Sequence, residues 1–366
     1  MKRLIVSAVN ISEGGPLAIL IDGLDAASIS LGPEWEIFAL VHESGLIKNP
    51  RIRTIEFPES KKSWFNRIRL EWFGFNVLSR KLKPDLWLSL HDITPRIKAK
   101  RQAVYCHNPA PFFGISLKEA LLAPNFALFT WFYRYLYRPF IHRNYSVIVQ
   151  QCWIRDAFRE LYRHPSIVVA HPAASNIEGN SSLSRISSPK GRMVFFYPAL
   201  ARVFKNYEVL CKAVKSLPKS VSDRLEVIMT IDGSENHYTR NLRRRYGDIT
   251  ALKFIGKQNR EAIERIYAEC DVLLFPSRLE TWGLPITEAK AIGKPMLVAD
   301  LPYAHETVGT YSDVSFISPS DPNAWANKIQ EVIEGVIHFD GNVGVLPEAP
   351  FAADWPQLWT ILIEGL

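Results

Sequence analysis

Two carboxylates, Glu280 and Glu288, stand at either end of a segment shaped by Pro276, Gly283 and Pro285. The apolar run Asp271-Val272-Leu273-Leu274-Phe275 reads as a buried strand, and Pro276 forbids its continuation. Pro285 is expected at the first helical position, where its fixed φ pre-sets the backbone. Gly283 lets the backbone approach a ligand without a side chain in the way. A helix start of this kind presents free amides and the positive end of the helix dipole, which suits an anion such as a phosphate. Carboxylates beside an anion site make sense as acceptors for sugar and ribose hydroxyls. Taken singly, Glu288 also fits a first-turn acid that favours the dipole, and Glu280 a solvated loop residue.

Three further groups follow apolar runs. Arg202 and Lys205 come after Val194-Phe195-Phe196-Tyr197, where two cations would neutralise a diphosphate and stabilise it as a leaving group. His107 and Asn108 close the run Gln102-Ala103-Val104-Tyr105-Cys106, and His91-Asp92 closes the preceding one as a competing pair. Glu13-Gly14-Gly15-Pro16 follows the first run but lacks the G-x-G-x-x-G spacing of a dinucleotide fingerprint.

The elements that must position these groups alternate regularly. Strands are expected at 3–9, 36–41, 85–90, 102–106 and 145–150, then at 193–198, 225–231, 271–275 and 295–299. Helix-length segments such as 205–216, 259–268 and 322–335 separate them, which implies parallel sheets covered on both faces. Ligands of such sheets bind beyond the carboxyl ends of the strands. The 366 residues suit two domains. The expected division is 1–172, a Ser-, Asn- and Gly-rich linker at 173–191, a second domain at 192–350, and a C-terminal helix at 351–366 packing back on the first domain.

Against this frame, Phe275-Pro276-Ser277-x-x-Glu280-x-x-Gly283-x-Pro285-x-x-Glu288-Ala289, with Gly293-x-Pro295 following, resembles the E-x7-E signature of the retaining family-4 glycosyltransferases. The resemblance is strongest from about residue 193 to 320 and thin over 1–170. It implies an α/β protein of the GT-B type, with two Rossmann-like domains facing a deep cleft. It implies that Glu280 faces the donor sugar and Glu288 holds the nucleotide ribose. Thr281, Trp282, Gly283, Leu284 and Pro285 would complete the donor site. In similar enzymes an Arg directly follows the strand and a Lys comes a few residues later. Lys205-Asn206 matches that Lys, whereas Pro198-Ala199 occupies the usual Gly-Arg place and leaves Arg202 further along. Related enzymes set a His near the reacting sugar, a role that falls to His107, and bring a Gly-rich first loop towards the donor phosphates, a role that falls to Gly15. His91, Asp92 and Asn108 are the acceptor-side candidates.

Composition narrows the classes. A 47% hydrophobic, 22% charged chain is globular, and four scattered cysteines suggest neither a disulfide framework nor a zinc knuckle. The start Met1-Lys2-Arg3-Leu4-Ile5-Val6 reads better as a first strand than as a signal peptide. The uncharged stretch from Ala120 to Tyr133 is too short to span a bilayer. Residues 1–170 hold 23 Lys and Arg against 14 Asp and Glu, and residues 61–101 hold 11 against 3. No nucleic-acid-binding motif accompanies this charge. Residues 108–145 interleave aromatics with Arg134, Arg138 and Arg143, a pattern that fits either a packed helix or a membrane interface.

The expectation is therefore retaining transfer of a hexosyl group from a UDP- or GDP-sugar to a hydroxyl of a glycan or lipid-linked glycan, in bacterial surface polysaccharide synthesis. The nucleotide sugar is a co-substrate; no cofactor, metal or nucleic acid is expected. The place is cytoplasmic, peripheral to an anionic inner membrane face. Two rivals remain: a sugar-nucleotide epimerase on the same fold, and a degenerate scaffold in a polysaccharide assembly complex. A hydrolase fits poorly, because glycoside-cleaving carboxylates must flank the bond from opposite sides.

Overall fold

The computed structural model describes residues 1–12, 14–172 and 191–366, so all of the expected linker except Gly191 lies outside the described residues. The chain forms two compact units. One comprises Met1–Phe112, Phe129–Ala173 and Pro347–Leu366; the other comprises Phe113–Leu128 and Ala174–Leu346.

The first unit holds strands β1 (Lys2–Ser7), β2 (Trp35–Val41), β3 (Ile52–Glu56), β4 (Leu86–Ser89), β5 (Arg101–Tyr105), β6 (Ser146–Val149) and β7 (Ile167–Ala170). The second holds β8 (Met193–Tyr197), β9 (Leu225–Met229), β10 (Leu252–Phe254), β11 (Val272–Phe275), β12 (Met296–Ala299) and β13 (Val314–Ile317). A last short strand, β14 (Phe351–Ala352), returns to pair with β7 in the first sheet. The sheet orders are β14-β7-β6-β5-β4-β1-β2-β3 and β10-β9-β8-β11-β12-β13. All named pairings are parallel, and each order reverses beside its first strand, between β1 and β4 and between β8 and β11. This is the doubly wound arrangement, whose reversal point opens a crevice at the carboxyl ends of the strands.

Runs such as Leu4-Ile5-Val6, Leu86-Trp87-Leu88 and Val272-Leu273-Leu274-Phe275 are buried on both faces, as parallel strands beneath two helical layers require. The strands not expected from sequence are β3, β7, β10, β13 and β14. Of these, β3, β10, β13 and β14 lie at sheet edges, and β3 carries Arg53, Thr54 and Glu56 in place of an apolar run.

Five helices matter below: α1 (Gly14–Ser30), α2 (Trp64–Arg69), α3 (Phe75–Leu82), α4 (Leu117–Leu122) and α5 (Pro124–Tyr137). The C-terminal helix Trp355–Ile363 packs on α1 within the first unit, and Trp359 Nε1 donates to the Gly23 carbonyl at 3.0 Å. A Cβ at Gly23 would meet the Trp355 ring at 2.7 Å, so glycine is required there. Burial of Trp355, Leu358, Trp359 and Leu362 stabilises this return by about 1.5–3 kcal/mol per side chain. Among the described residues no helix is long and apolar enough to cross a membrane.

Candidate functional site

In the second unit the loops after β8 and β11 sit on either side of the reversal point. Val203–Lys205 makes one 3₁₀ turn after β8, and Asn206 follows in a left-handed conformation at φ 58°. Three bonds join this turn to the loop after β11. The Arg278 amide donates to the Phe204 carbonyl at 2.8 Å, and Asn206 Nδ2 donates to the Pro276 carbonyl at 3.1 Å. Lys205 Nζ donates to Glu280 Oε1 at 2.5 Å, with both side chains only 13% exposed. Asn206 Nδ2 also reaches the Pro319 carbonyl beyond β13, so one amide gathers three strand ends.

Gly283 caps the helix Leu284–Ala291 at φ 93°, a left-handed backbone that favours glycine. A Cβ there would merely touch Ile286 and Phe275 at 3.4 Å, so the backbone angle and not crowding selects glycine. Pro285 is the second helical residue rather than the first, because Gly283 serves as the cap and Leu284 opens the helix. Thr281 and Trp282 form the turn before the cap. Trp282 is held at both ends: its Nε1 donates to Thr287 Oγ1 at 3.0 Å, and its carbonyl accepts from Thr307. Glu288 is buried within the helix, and Arg260 Nη1 donates to its Oε1 at 2.7 Å.

Arg202 is not drawn into this group. It lies exposed on extended backbone at φ −128°, without an ion-pair partner among the described residues. Sequence reasoning missed Arg278, which pairs with Glu119 of α4 and lies over the Phe113 ring at 5.0 Å. Burial lowers the Arg278 pKa from its ordinary value. It also missed Arg260, whose distance along the chain from Glu288 leaves no local signal.

In the first unit Asp92 organises the strand ends. It follows β4 at φ 69°. Its Oδ1 accepts from the amides of His107 at 2.6 Å and Asn108 at 3.1 Å, and from the Tyr137 hydroxyl at 3.3 Å. Its Oδ2 accepts from the Tyr133 hydroxyl at 3.1 Å. Burial first, then this carboxylate, raises both phenols well above their ordinary range, so they remain donors. In the sequence Asp92, paired with His91 after the preceding apolar run, is an acceptor-side candidate. Here its carboxylate is committed to holding the loop of His107 and Asn108.

The His107 ring stacks on Tyr105 with centroids 4.5 Å apart. Burial drives its pKa down to about 4, with the nearby Asp92 carboxylate opposing and His91 reinforcing the shift. Neither buried ring nitrogen makes a hydrogen bond of sound geometry, although the Leu90 carbonyl lies close enough to favour the charged form slightly. The buried Asn108 Nδ2 likewise has no hydrogen-bond partner among the described residues.

His91 is fully buried, and its Nδ1 lies 3.1 Å from Glu71 Oε1. Arg67 Nε donates to the same oxygen at 2.8 Å, and Arg67 Nη2 donates to the His91 carbonyl at 2.5 Å. Burial opposes the charge on Glu71, yet His91 and Arg67 together hold its carboxyl below the usual carboxylate range. The i, i+4 spacing of Arg67 and Glu71 was a readable signal; their joint contact with His91 was not. After β1, the left-handed residue is Gly14 at φ 70°, and Gly15 lies in the first turn of α1. Glu13 lies outside the described residues.

Comparison with known proteins agrees with this architecture. Residues 184–337 match the family model described as glycosyl transferases group 1. Over 265 residues the chain is 21% identical to the O-antigen chain mannosyltransferase RfbU of Salmonella typhimurium, covering 71% of this chain and 68% of that protein. Over 194 residues it is 25% identical to a D-inositol 3-phosphate glycosyltransferase of Corynebacterium diphtheriae, covering 49% of this chain and 45% of that one. Among solved structures, Anabaena HepE in complex with UDP-glucose superposes with a TM-score of 0.64 at 17% identity, covering 92% of this chain and 90% of that chain. WaaG, a glycosyltransferase involved in lipopolysaccharide biosynthesis, gives 0.64 at 14% identity, covering 99% of this chain and 100% of that chain. The fold is GT-B.

Proposed function

We propose that this chain is a group 1 glycosyl transferase, on the match of residues 184–337 to that family's model, and that it moves a hexosyl group from a UDP- or GDP-sugar to a hydroxyl of a glycan or lipid-linked glycan. The observation that carries the reading is the ion pair of Lys205 and Glu280 at the β8/β11 reversal point, with Glu288 a few residues beyond a left-handed glycine. Lys205 and the amides that open the helix Leu284–Ala291 neutralise the donor diphosphate, so no metal is assigned that task. Glu280 accepts from sugar hydroxyls, and Glu288 accepts from the ribose. Gly15 is assigned to the donor phosphates, and Arg202, exposed as it is, to a peripheral place beside them. Thr281 and Trp282 shape the turn between the two carboxylates.

His107 is assigned to the reacting sugar or the incoming hydroxyl, with Asn108 on the acceptor side. His91 and Asp92 act behind them by fixing the strand ends. In the proposed step the acceptor oxygen bonds to the anomeric carbon on the leaving-group face, and the bond from that carbon to the phosphate oxygen breaks. The departing phosphate takes the acceptor proton. Configuration is retained, and a nucleoside diphosphate and a new glycoside result.

Similarity to the O-antigen chain mannosyltransferase RfbU supports a place in surface polysaccharide synthesis, which we assign to the inner face of the cell membrane. The test is a thermal-shift panel of nucleotide sugars. One donor should raise the melting temperature, and Glu288→Ala should abolish that rise. A panel in which no nucleotide sugar shifts the protein would sink the proposal.

A further inference from the structure

The helices that brace the first unit's strand ends also expose large apolar side chains among cations. Along α2, the π turn Leu70–Gly74 and α3, the outward residues recur at steps of about four: Phe65, Arg69, Phe73, Val77 and Arg80. Phe65 is 73% exposed, Phe73 61% and Val77 58%. A helical stripe normally turns its apolar members inward, and here the inward places are taken by Arg67, Glu71, Phe75 and Ser79.

Helix α5 is apolar on both sides. Ala127, Thr130, Tyr133 and Tyr137 face the core, while Trp131, Phe132 and Tyr135 are 46–60% exposed. The two exposed stripes adjoin. The half-exposed Trp64 ring lies 6.5 Å from that of Phe129 and 6.0 Å from that of Tyr133, and Trp72 meets Phe140 at 5.9 Å.

Charge selects the occupant. Between Lys61 and Lys83 the only acid is Glu71, fully buried and already paired with Arg67 and His91. Residues 124–145 contain no acid at all. Arg69, Arg80, Lys81 and Lys83 are exposed and carry no ion-pair partner among the described residues, while Arg134 and Arg138 lie over the Tyr135 ring. Aromatic side chains at the level of the headgroups, ringed by Lys and Arg, are what an anionic bilayer surface binds. A protein partner of mixed charge would gain nothing from a face this uniformly cationic.

We propose that α2, the π turn, α3 and the outward side of α5 form one docking face for an anionic lipid bilayer. The proposal rests on the reading of a lipid-linked acceptor and assigns the surface that would bring the enzyme to it. The same elements hold the acceptor-side loops: Tyr133 and Tyr137 bond to Asp92, and Arg67 and Glu71 bond to His91. Docking and acceptor handling thus share two helical segments.

The test is flotation of the full chain with phosphatidylcholine vesicles, with and without added phosphatidylglycerol, in low and high salt. Binding should require the anionic lipid and weaken in high salt. Arg69→Gln with Arg80→Gln should weaken it by about fivefold per cation, ~25-fold for the pair. Phe73→Ser with Phe132→Ser should weaken it in low and high salt alike. Each variant should keep the melting rise with nucleotide sugar, which separates loss of docking from loss of fold. Equal binding to both vesicle types, no binding to either, or binding untouched by both pairs of substitutions would overturn the proposal. So would a dimer in sedimentation that Phe73→Ser with Phe132→Ser dissolves, since the face would then belong to a second copy. Vesicle binding is read without donor or acceptor, so its failure leaves the transferase reading standing, and the absence of a nucleotide-sugar shift leaves the docking result standing.

Discussion

Lys205 Nζ and Glu280 Oε1 stand 2.5 Å apart, joining the first strand end of the second sheet to its neighbour across the reversal point. With both side chains largely shielded, each charge depends on the other for compensation, and removing one alone leaves the other buried and unpaired. A bound diphosphate would compete with Glu280 for Lys205, while the donor sugar would give Glu280 new hydroxyl partners. The two roles are therefore linked. Glu280→Gln should leave the affinity for the bare nucleoside diphosphate equal or tighter, because Lys205 is released from its carboxylate. The same variant should lower kcat by about 10²–10³ if Glu280 acts on the reacting sugar. Titration calorimetry with the nucleoside diphosphate, beside initial rates, measures both. Loss of diphosphate affinity in Glu280→Gln would contradict the proposed division of labour.

Glu288 is buried, whereas its partner Arg260 is half exposed and also engages Glu264. Such a cation, with the Tyr267 hydroxyl nearby, can hold the carboxylate in place for a ribose hydroxyl. Glu288→Gln should weaken nucleoside diphosphate and nucleotide sugar equally, by about tenfold to a hundredfold, because both share the ribose. A 2′-deoxy or 3′-deoxy nucleotide should bind the wild type more weakly but lose little further on Glu288→Gln. If neither analogue shows that compensation, Glu288 does not read the ribose.

How far these sites are legible in sequence depends on how local their causes are. The turn from Pro276 to Glu288 is written almost wholly in proline and glycine, so its course could be read directly, down to a one-residue displacement of Pro285. Most buried central strands were legible because a parallel strand beneath two helical layers is a continuous apolar run, whereas the four-residue interior strand β7 was too short to stand out. The edge strands β3, β10 and β14 were not, since a polar ladder such as β3, or two to three residues, carries no periodic signal. Arg260 with Glu288, Arg278 with Glu119, and Glu71 with His91 unite residues far apart in the chain, and only the topology brings them together. Helix α5 was ambiguous in sequence for a physical reason: it is apolar on both sides, with one side packed and the other exposed.

Asp92 accepts two amides and two phenols from a left-handed backbone position, so its removal should cost more than the loss of any one donor. Tyr137→Phe should destabilise the protein by about 1–2 kcal/mol, because it removes a hydroxyl proton shared between the Asn108 carbonyl at 3.0 Å and the Asp92 carboxylate at 3.3 Å. Asp92→Ala should cost ~3 kcal/mol or more, because it orphans the His107 and Asn108 amides and places alanine at positive φ. Urea unfolding of the two variants measures the order. A Tyr137→Phe variant less stable than Asp92→Ala would show that the hydroxyl serves chiefly its 3.0 Å bond to the Asn108 carbonyl and not Asp92.

His107 gives stability a pH dependence of definite sign. Its folded pKa, about 4, lies below the ordinary value of 6.5 because burial disfavours the imidazolium. The unfolded chain therefore takes up a proton at His107 before the folded chain does. The contribution is complete above pH 6.5, falls as pH drops from 6.5 towards about 4, and is constant below. The shift corresponds to as much as ~3 kcal/mol across that window. His107→Gln removes this titration, so the difference in unfolding free energy between wild type and variant should shrink or reverse from pH 7 to pH 4 in favour of the variant. Titrating groups that do not interact with His107 cancel in the difference, while Asp92 and His91, which do, modulate its size. Urea denaturation of both proteins at intervals of pH provides the measurement. A neutral imidazole with unpartnered ring nitrogens is also the form able to accept a hydrogen bond from an acceptor hydroxyl. A pH-independent difference between the two proteins would mean that His107 is protonated in the folded state as readily as in water, and its assignment as a neutral acceptor of that hydrogen bond would fail with it.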